Sequence, residues 1–147
     1  MPASDLERFV DAQAPVFDAV CAELRAGFKR THWTWFVFPQ LRGLGRTSAA
    51  LLYGIESSDE ALAYWQHPIL GPRLKTCVDL VLAAPRGKSA HDIFGSPDDL
   101  KFRSCLTLFQ SVAPEEPSFG TALGRFYGGQ PYQLSLVMLD TAEPPRA

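Results

Sequence analysis

The run Lys29-Arg30-Thr31-His32-Trp33-Thr34-Trp35 sets a histidine beside two basic residues and two tryptophans. An imidazole titrates near neutrality, which suits a general acid or base. The plainer reading of His32 is a ring packed on aromatics that donates one hydrogen bond to backbone. Trp33, Trp35, Phe36 and Phe38 also carry two readings, a platform for stacking a base or sugar and a stretch of core. Further on, Gly43-Leu44-Gly45-Arg46-Thr47-Ser48 comes close to the dinucleotide fingerprint, with serine where the third glycine belongs. That fingerprint needs a strand before it and, about twenty residues on, an acid at the end of a second strand. The chain near residue 63 has a helical pattern instead, which excludes a dinucleotide fold. A tight turn explains the glycines. A glycine turn with Arg46 near a helix start can still bind an anion.

A second cluster lies in Asp98-Asp99-Leu100-Lys101-Phe102-Arg103-Ser104. Asp98 and Asp99 fall in a first helical turn, where capping and the helix dipole account for acids. Lys101, Ser104 and Leu108 then recur at steps of three and four, so they share a face, with Thr107 beside them. A stripe of lysine, serine and threonine suits either a pocket wall or a solvated face; buried, each polar group must find a partner.

Together the two clusters make a small-molecule site. His32 is the acid or base and Asp99 its carboxylate partner or orienter. Arg46, Lys101 and Arg103 hold an anionic group, Trp35 and Gln40 shape the wall, and Ser104 and Thr107 line it. A nucleotide or phosphorylated metabolite matches this set. Hydrolysis or group transfer without a cofactor is the reaction class if the protein is an enzyme, a point the residues leave open. The competing expectation is a non-enzymatic interaction module or homodimer, since aromatics and arginine are favoured at protein contacts. Five bases and no acid in residues 25–55 follow five acids and one base in residues 5–24. That asymmetry makes a dipolar surface, while a pI near 5.9 and the lack of any recognised binding signature argue against nucleic acid. No metal is expected: His67 and His91 stand apart, and no Cys-x-x-Cys or His-Glu-x-x-His pattern occurs.

The elements that must carry these residues are helical. Pro15 fits the first turn of a helix in which Val16, Phe17, Val20, Cys21 and Leu24 repeat at helical spacing, with Gly27 as a stop. Residues 31–41 fit both a buried strand and a short helix capped by Thr31 and ended before Pro39; with no second strong strand to pair with, a helix or irregular turn is expected. Ser48 to Tyr53 forms a further short piece. Ser57-Ser58-Asp59-Glu60 reads as a capping box for a helix to about His67. Leu70, Leu74, Cys77, Val78, Val81 and Leu82 give the clearest period, and Ser89 to Phe94 makes one turn. Ser96-Pro97-Asp98-Asp99 starts a helix to about Val112, with Ser96 as the cap and Pro97 in the first turn, and Pro117 to Tyr127 forms the last, closed by Gly128-Gly129. The expected fold is all-α: one compact domain of about six short helices with irregular connections, a core over residues 5–139 and a frayed tail at 140–147.

The chain has 147 residues, 46% hydrophobic and 20% charged, with a net charge of −2, as expected of a globular domain able to bury a core. No apolar run is long enough to span a bilayer, so no membrane is involved. Met1 to Asp5 leads into an acidic amphipathic segment, so no secretory signal is expected. Cys21, Cys77 and Cys105 are widely spaced on apolar faces, which fits reduced core thiols and a cytoplasmic address.

Three stretches resemble one family: Lys29 to Leu41 with Gly43-Leu44-Gly45-Arg46; His67-Pro68-Ile69-Leu70-Gly71-Pro72-Arg73-Leu74; and Phe94-Gly95 through Asp99-Leu100-Lys101 to Thr107-Leu108-Phe109. They are similar to the bacterial domain-of-unknown-function family 1810 over roughly residues 5 to 139. The resemblance implies a compact, mainly helical fold and brings no activity with it. Some members carry a calpastatin label, but those inhibitors are long, disordered and repetitive, unlike this chain.

Overall fold

A computed structural model describes residues 5–44, 47–133 and 135–136. Among them nine helices follow one another: α1 (Glu7–Gln13), α2 (Phe17–Ala26), α3 (Thr34–Val37), α4 (Ser48–Tyr53), α5 (Ser58–Gln66), α6 (Leu70–Leu82), α7 (Ala90–Phe94), α8 (Asp98–Val112) and α9 (Pro117–Tyr127). The all-α expectation holds, in one compact domain. The helices exceed the expected six or so because α3, α4 and α7 have only 4, 6 and 5 residues. The sequence marks these three only as an ambiguous stretch, a short piece and one turn. Among the described residues, no helix is long and apolar enough to cross a membrane. Arg46 and the tail at 140–147 lie outside the described residues.

The helix α8 is the hub, packing against α9, α5, α7 and α3, while α6 packs against α5, α2 and α9. Phe102, Cys105, Leu106, Leu108 and Phe109 of α8 are fully buried. Each such large side chain adds about 1.5–3 kcal/mol relative to exposure. Phe102 meets Phe38 and Phe94, with ring centres 4.8 and 4.7 Å away. The aromatic run of residues 33–38 is therefore tied to the core through Phe38. Gly71 marks the tightest helix junction: a Cβ there would lie 2.1 Å from the Trp65 carbonyl oxygen, so only glycine lets α6 follow α5 so closely.

Several local expectations are corrected. Residues 31–41 contain a short helix ended before Pro39, as expected, but it is shorter than the stretch and capped elsewhere. They hold the single turn of α3 and then an extended stretch whose Leu41 makes an isolated parallel bridge to Ile55. Trp33, not Thr31, is the N-cap of α3, because the Thr31 hydroxyl donates to Glu23 at 2.7 Å. Pro15 stands just outside α2, which starts at Phe17 after the N-cap Val16, whereas Gly27 closes it in the left-handed region at φ 72° as expected. Ser57 caps α5 by accepting the Glu60 N–H at 3.2 Å, but the Glu60 carboxylate reaches one residue further back, to the Glu56 N–H. Pro97 rather than Ser96 occupies the N-cap of α8.

Candidate functional site

The loop from Lys29 to Trp33 is built on a buried carboxylate. Glu23 lies on the inward face of α2 between Val20 and Leu24. Its Oε1 accepts the backbone N–H groups of Arg30 and Thr31 and the Trp33 indole N–H, at 2.7, 3.0 and 2.9 Å. Burial alone would raise this carboxyl; the hydrogen bonds from Arg30, Thr31 and Trp33 outweigh it and lower it to about 2. The Lys29 N–H donates to the Ile93 carbonyl at 2.8 Å and closes the loop against α7.

That loop brings Lys29 to the first turn of α8. Lys29 Nζ lies 2.8 Å from Asp98 Oδ2, and Lys101 Nζ lies 3.1 Å from Asp98 Oδ1. Thr34, the first residue of α3, donates its hydroxyl to Asp98 Oδ2 at 3.0 Å. The side chains of Lys29, Asp98 and Lys101 are 6%, 18% and 15% exposed, so water screens them little. Burial would raise the Asp98 carboxyl, but the two ammonium groups prevail and hold it below the ordinary carboxylate range. Two cations on one anion leave one positive charge in excess. Each lysine also faces a tryptophan: Lys101 Nζ is 3.0 Å from the Trp35 ring centre and Lys29 Nζ 5.3 Å from a Trp33 ring centre.

Two cavities lie beside the triad. One, of about 190 Å³, is lined by His32, Trp33, Thr34, Trp35 and Asp98. The other, of about 240 Å³, lies between α3, α4 and α8, with Trp35, Gln40, Lys101, Ser104 and Tyr132 among its lining residues. Trp35 belongs to both walls. Asp98 is among the residues that line the first chamber, and Lys101 among those that line the second.

Most of the expected wall residues converge here. Trp35, Gln40, Lys101 and Ser104 line one chamber and His32 the other, at its exposed rim. The His32 imidazole makes no hydrogen bond with another described residue. Ser104 and Thr107 are buried, and each donates to the carbonyl four residues earlier, Leu100 and Arg103, at 3.0 and 2.9 Å. Thr107 also accepts the Tyr132 N–H at 2.9 Å, so it holds the chain after α9 and lines neither chamber.

Two expected roles are not met by the geometry. Asp99 Oδ2 lies 3.6 Å from His91 Nδ1, and the first-turn acid that meets the lysines is its neighbour Asp98. Arg103 donates from Nε to the Gln130 carbonyl at 2.9 Å and stacks 5.3 Å from the Tyr127 ring, so it fastens the segment after α9. Sequence reasoning passed over Glu23, Lys29 and Asp98. An acid between Val20 and Leu24 on an apolar stripe was a signal for Glu23. The distance in sequence from Lys29 to Asp98 left no signal for their pairing.

The family model described as protein of unknown function (DUF1810) matches residues 3–139. The crystal structure of the conserved hypothetical protein Rv1873 from Mycobacterium tuberculosis is similar, with a TM-score of 0.89 at 52% sequence identity. The match covers 92% of this chain and 96% of that one. No curated protein matches the chain.

Proposed function

Since the chain belongs to the DUF1810 family of unknown function, no activity comes with membership, and we propose that it binds an anionic small molecule beside Lys101. The observation that carries this reading is the excess positive charge of the Lys29–Asp98–Lys101 group, which opens into a chamber also lined by Gln40, Ser104 and Tyr132. An ammonium has three donors. Lys101 spends one on Asp98 and lays its charge on Trp35, which leaves a donor for a ligand anion. If the protein is an enzyme, His32 can serve in proton transfer only to a ligand that also reaches the Asp98 chamber, which His32 lines. A cytoplasmic setting is part of the proposal, supported by three buried free cysteines. The alternative, a protein-interaction surface or homodimer, has the exposed neighbours Leu51 and Leu52 of α4 in its favour.

Thermal melting against a panel of phosphate esters and organic acids tests the reading. A ligand at ~100 times its Kd should stabilise the fold by about 2.7 kcal/mol, a rise of about 5–10 °C in Tm at this size. Lys101→Gln should keep the fold and lose the shift. A folded Lys101→Gln protein that keeps the full shift would place the ligand elsewhere.

A further inference from the structure

We infer that Lys29, which lines neither cavity, sets the anion affinity of the Lys101 chamber by occupying the carboxylate of Asp98. The inference rests on the anion reading above and adds the residue that controls it. Asp98 shares its charge between two cations. Its Oδ1 takes the Lys101 ammonium at 3.1 Å, and its Oδ2 takes the Lys29 ammonium at 2.8 Å together with the Thr34 hydroxyl. With both lysines present, one positive charge is left over for a ligand beside Lys101. With Lys29 uncharged, Asp98 and Lys101 cancel, and an arriving anion meets a neutral pair.

Lys29 is built in as a fixed counter-charge. Its side chain is nearly buried and faces the Trp33 ring, so solvent ions screen it less than a surface lysine. Its backbone is tied at both ends: its own N–H donates to the Ile93 carbonyl, and the next two N–H groups donate to Glu23. The start of α8 does not replace it as a source of positive charge. The N–H groups of Asp99, Leu100 and Lys101 are already taken by the carbonyls of Gly95 and Pro97. Among the described residues that line the chamber, Lys101 is the one cation. Lys29 is therefore a positioning residue that acts through Asp98, by charge and without touching the ligand. Counting charges separates this role from a purely structural one. Neutralising Lys29 alone takes the triad from one net positive charge to none, whereas neutralising Lys29 and Asp98 together brings it back to one.

Calorimetric titration with inorganic phosphate and with acetate tests this on wild type, Lys29→Met, Asp98→Asn and the double variant, with Lys101→Gln to locate the binding. Methionine keeps the unbranched stem and a favourable contact with the Trp33 ring. Lys29→Met should weaken the tighter-binding probe about tenfold, and the double variant should return to the wild-type affinity. If Lys29→Met does not fold, the same change on the Asp98→Asn background gives the comparison, about tenfold weaker than Asp98→Asn alone. A folded Lys29→Met with wild-type affinity, a double variant no tighter than Lys29→Met, or a double variant equal to Asp98→Asn overturns the inference and leaves the anion reading standing. Absence of Lys101-dependent binding of both probes also overturns the inference, and a blank across the wider panel overturns the anion reading as well.

Discussion

Lys101 and Trp35 form the joint of the site: the ammonium sits 3.0 Å from the indole ring centre while it also bonds Asp98 at 3.1 Å. One side chain thus couples an aromatic wall to a carboxylate that a second lysine grips from the loop after α2. Charge balance and chamber shape are consequently linked, and each can be perturbed through the other.

Asp98→Asn should separate stability from ligand affinity. It leaves two ammonium groups near each other without their counter-charge, at a cost of about 2 kcal/mol given partial burial. The same change makes the chamber more positive, so inorganic phosphate should bind more tightly and restore part of the lost stability. Urea melts with and without phosphate measure both effects. Unchanged stability would show that the triad contributes nothing to the fold.

Glu23 should give the protein an acid-sensitive loop. Its carboxyl is lowered from 4.5 to about 2, so the contribution is fully present above pH 4.5 and is lost as pH falls toward 2. Asp98, also lowered, acts in the same direction. Glu23→Gln should cost about 2 kcal/mol at pH 7 and flatten the decline between pH 4.5 and 2. Denaturant melts across that range provide the check, and a variant with the wild-type slope would refute the assignment.

The expected helices were legible where they were long and patterned. The period of Leu70 to Leu82 and the stops at Gly27 and Gly128 correspond to α6 and to left-handed residues closing α2 and α9. The candidate site was half legible. Trp35, Gln40, Lys101 and Ser104 line one chamber, and of these only Lys101 and Ser104 carry a helical spacing that marks them as neighbours. Asp98 and Asp99 are not distinguished by the sequence: neighbours in a first turn point about 100° apart, and only the partner, Lys29, decides which one is engaged. That partner lies on a loop whose path depends on the Glu23 hydrogen bonds, a tertiary fact without a local pattern.

Arg125→Ala should be structural only. The guanidinium donates to the carbonyls of Leu82, Ala84 and Pro85 at 2.6, 2.8 and 2.8 Å and closes the end of α6. Its loss should cost about 2 kcal/mol in denaturant melts. Affinity for the chamber ligand should stay at the wild-type value, and a drop would tie the end of α6 to the site.

The three thiols should be silent in the native protein. Cys77 and Cys105 are fully enclosed, and burial raises the thiols of all three cysteines, so little thiolate forms at neutral pH. Maleimide labelling followed by mass measurement should show no adduct in buffer and three in denaturant. Rapid labelling of native protein would contradict this packing.

The helix α4 buries none of its six residues, yet with the turn before it supplies Leu44, Thr47 and Ala50 to the Lys101 chamber. The opposite wall, α8, is rooted in the most enclosed aromatic side chains of the protein. The chamber therefore spans two tiers of local stability. Amide hydrogens of α4 should exchange through small openings while those of α8 wait for global unfolding. A ligand that touches both walls would lend the slow tier's permanence to the fast one, and its presence would be read first in the exchange rates of residues 48–53.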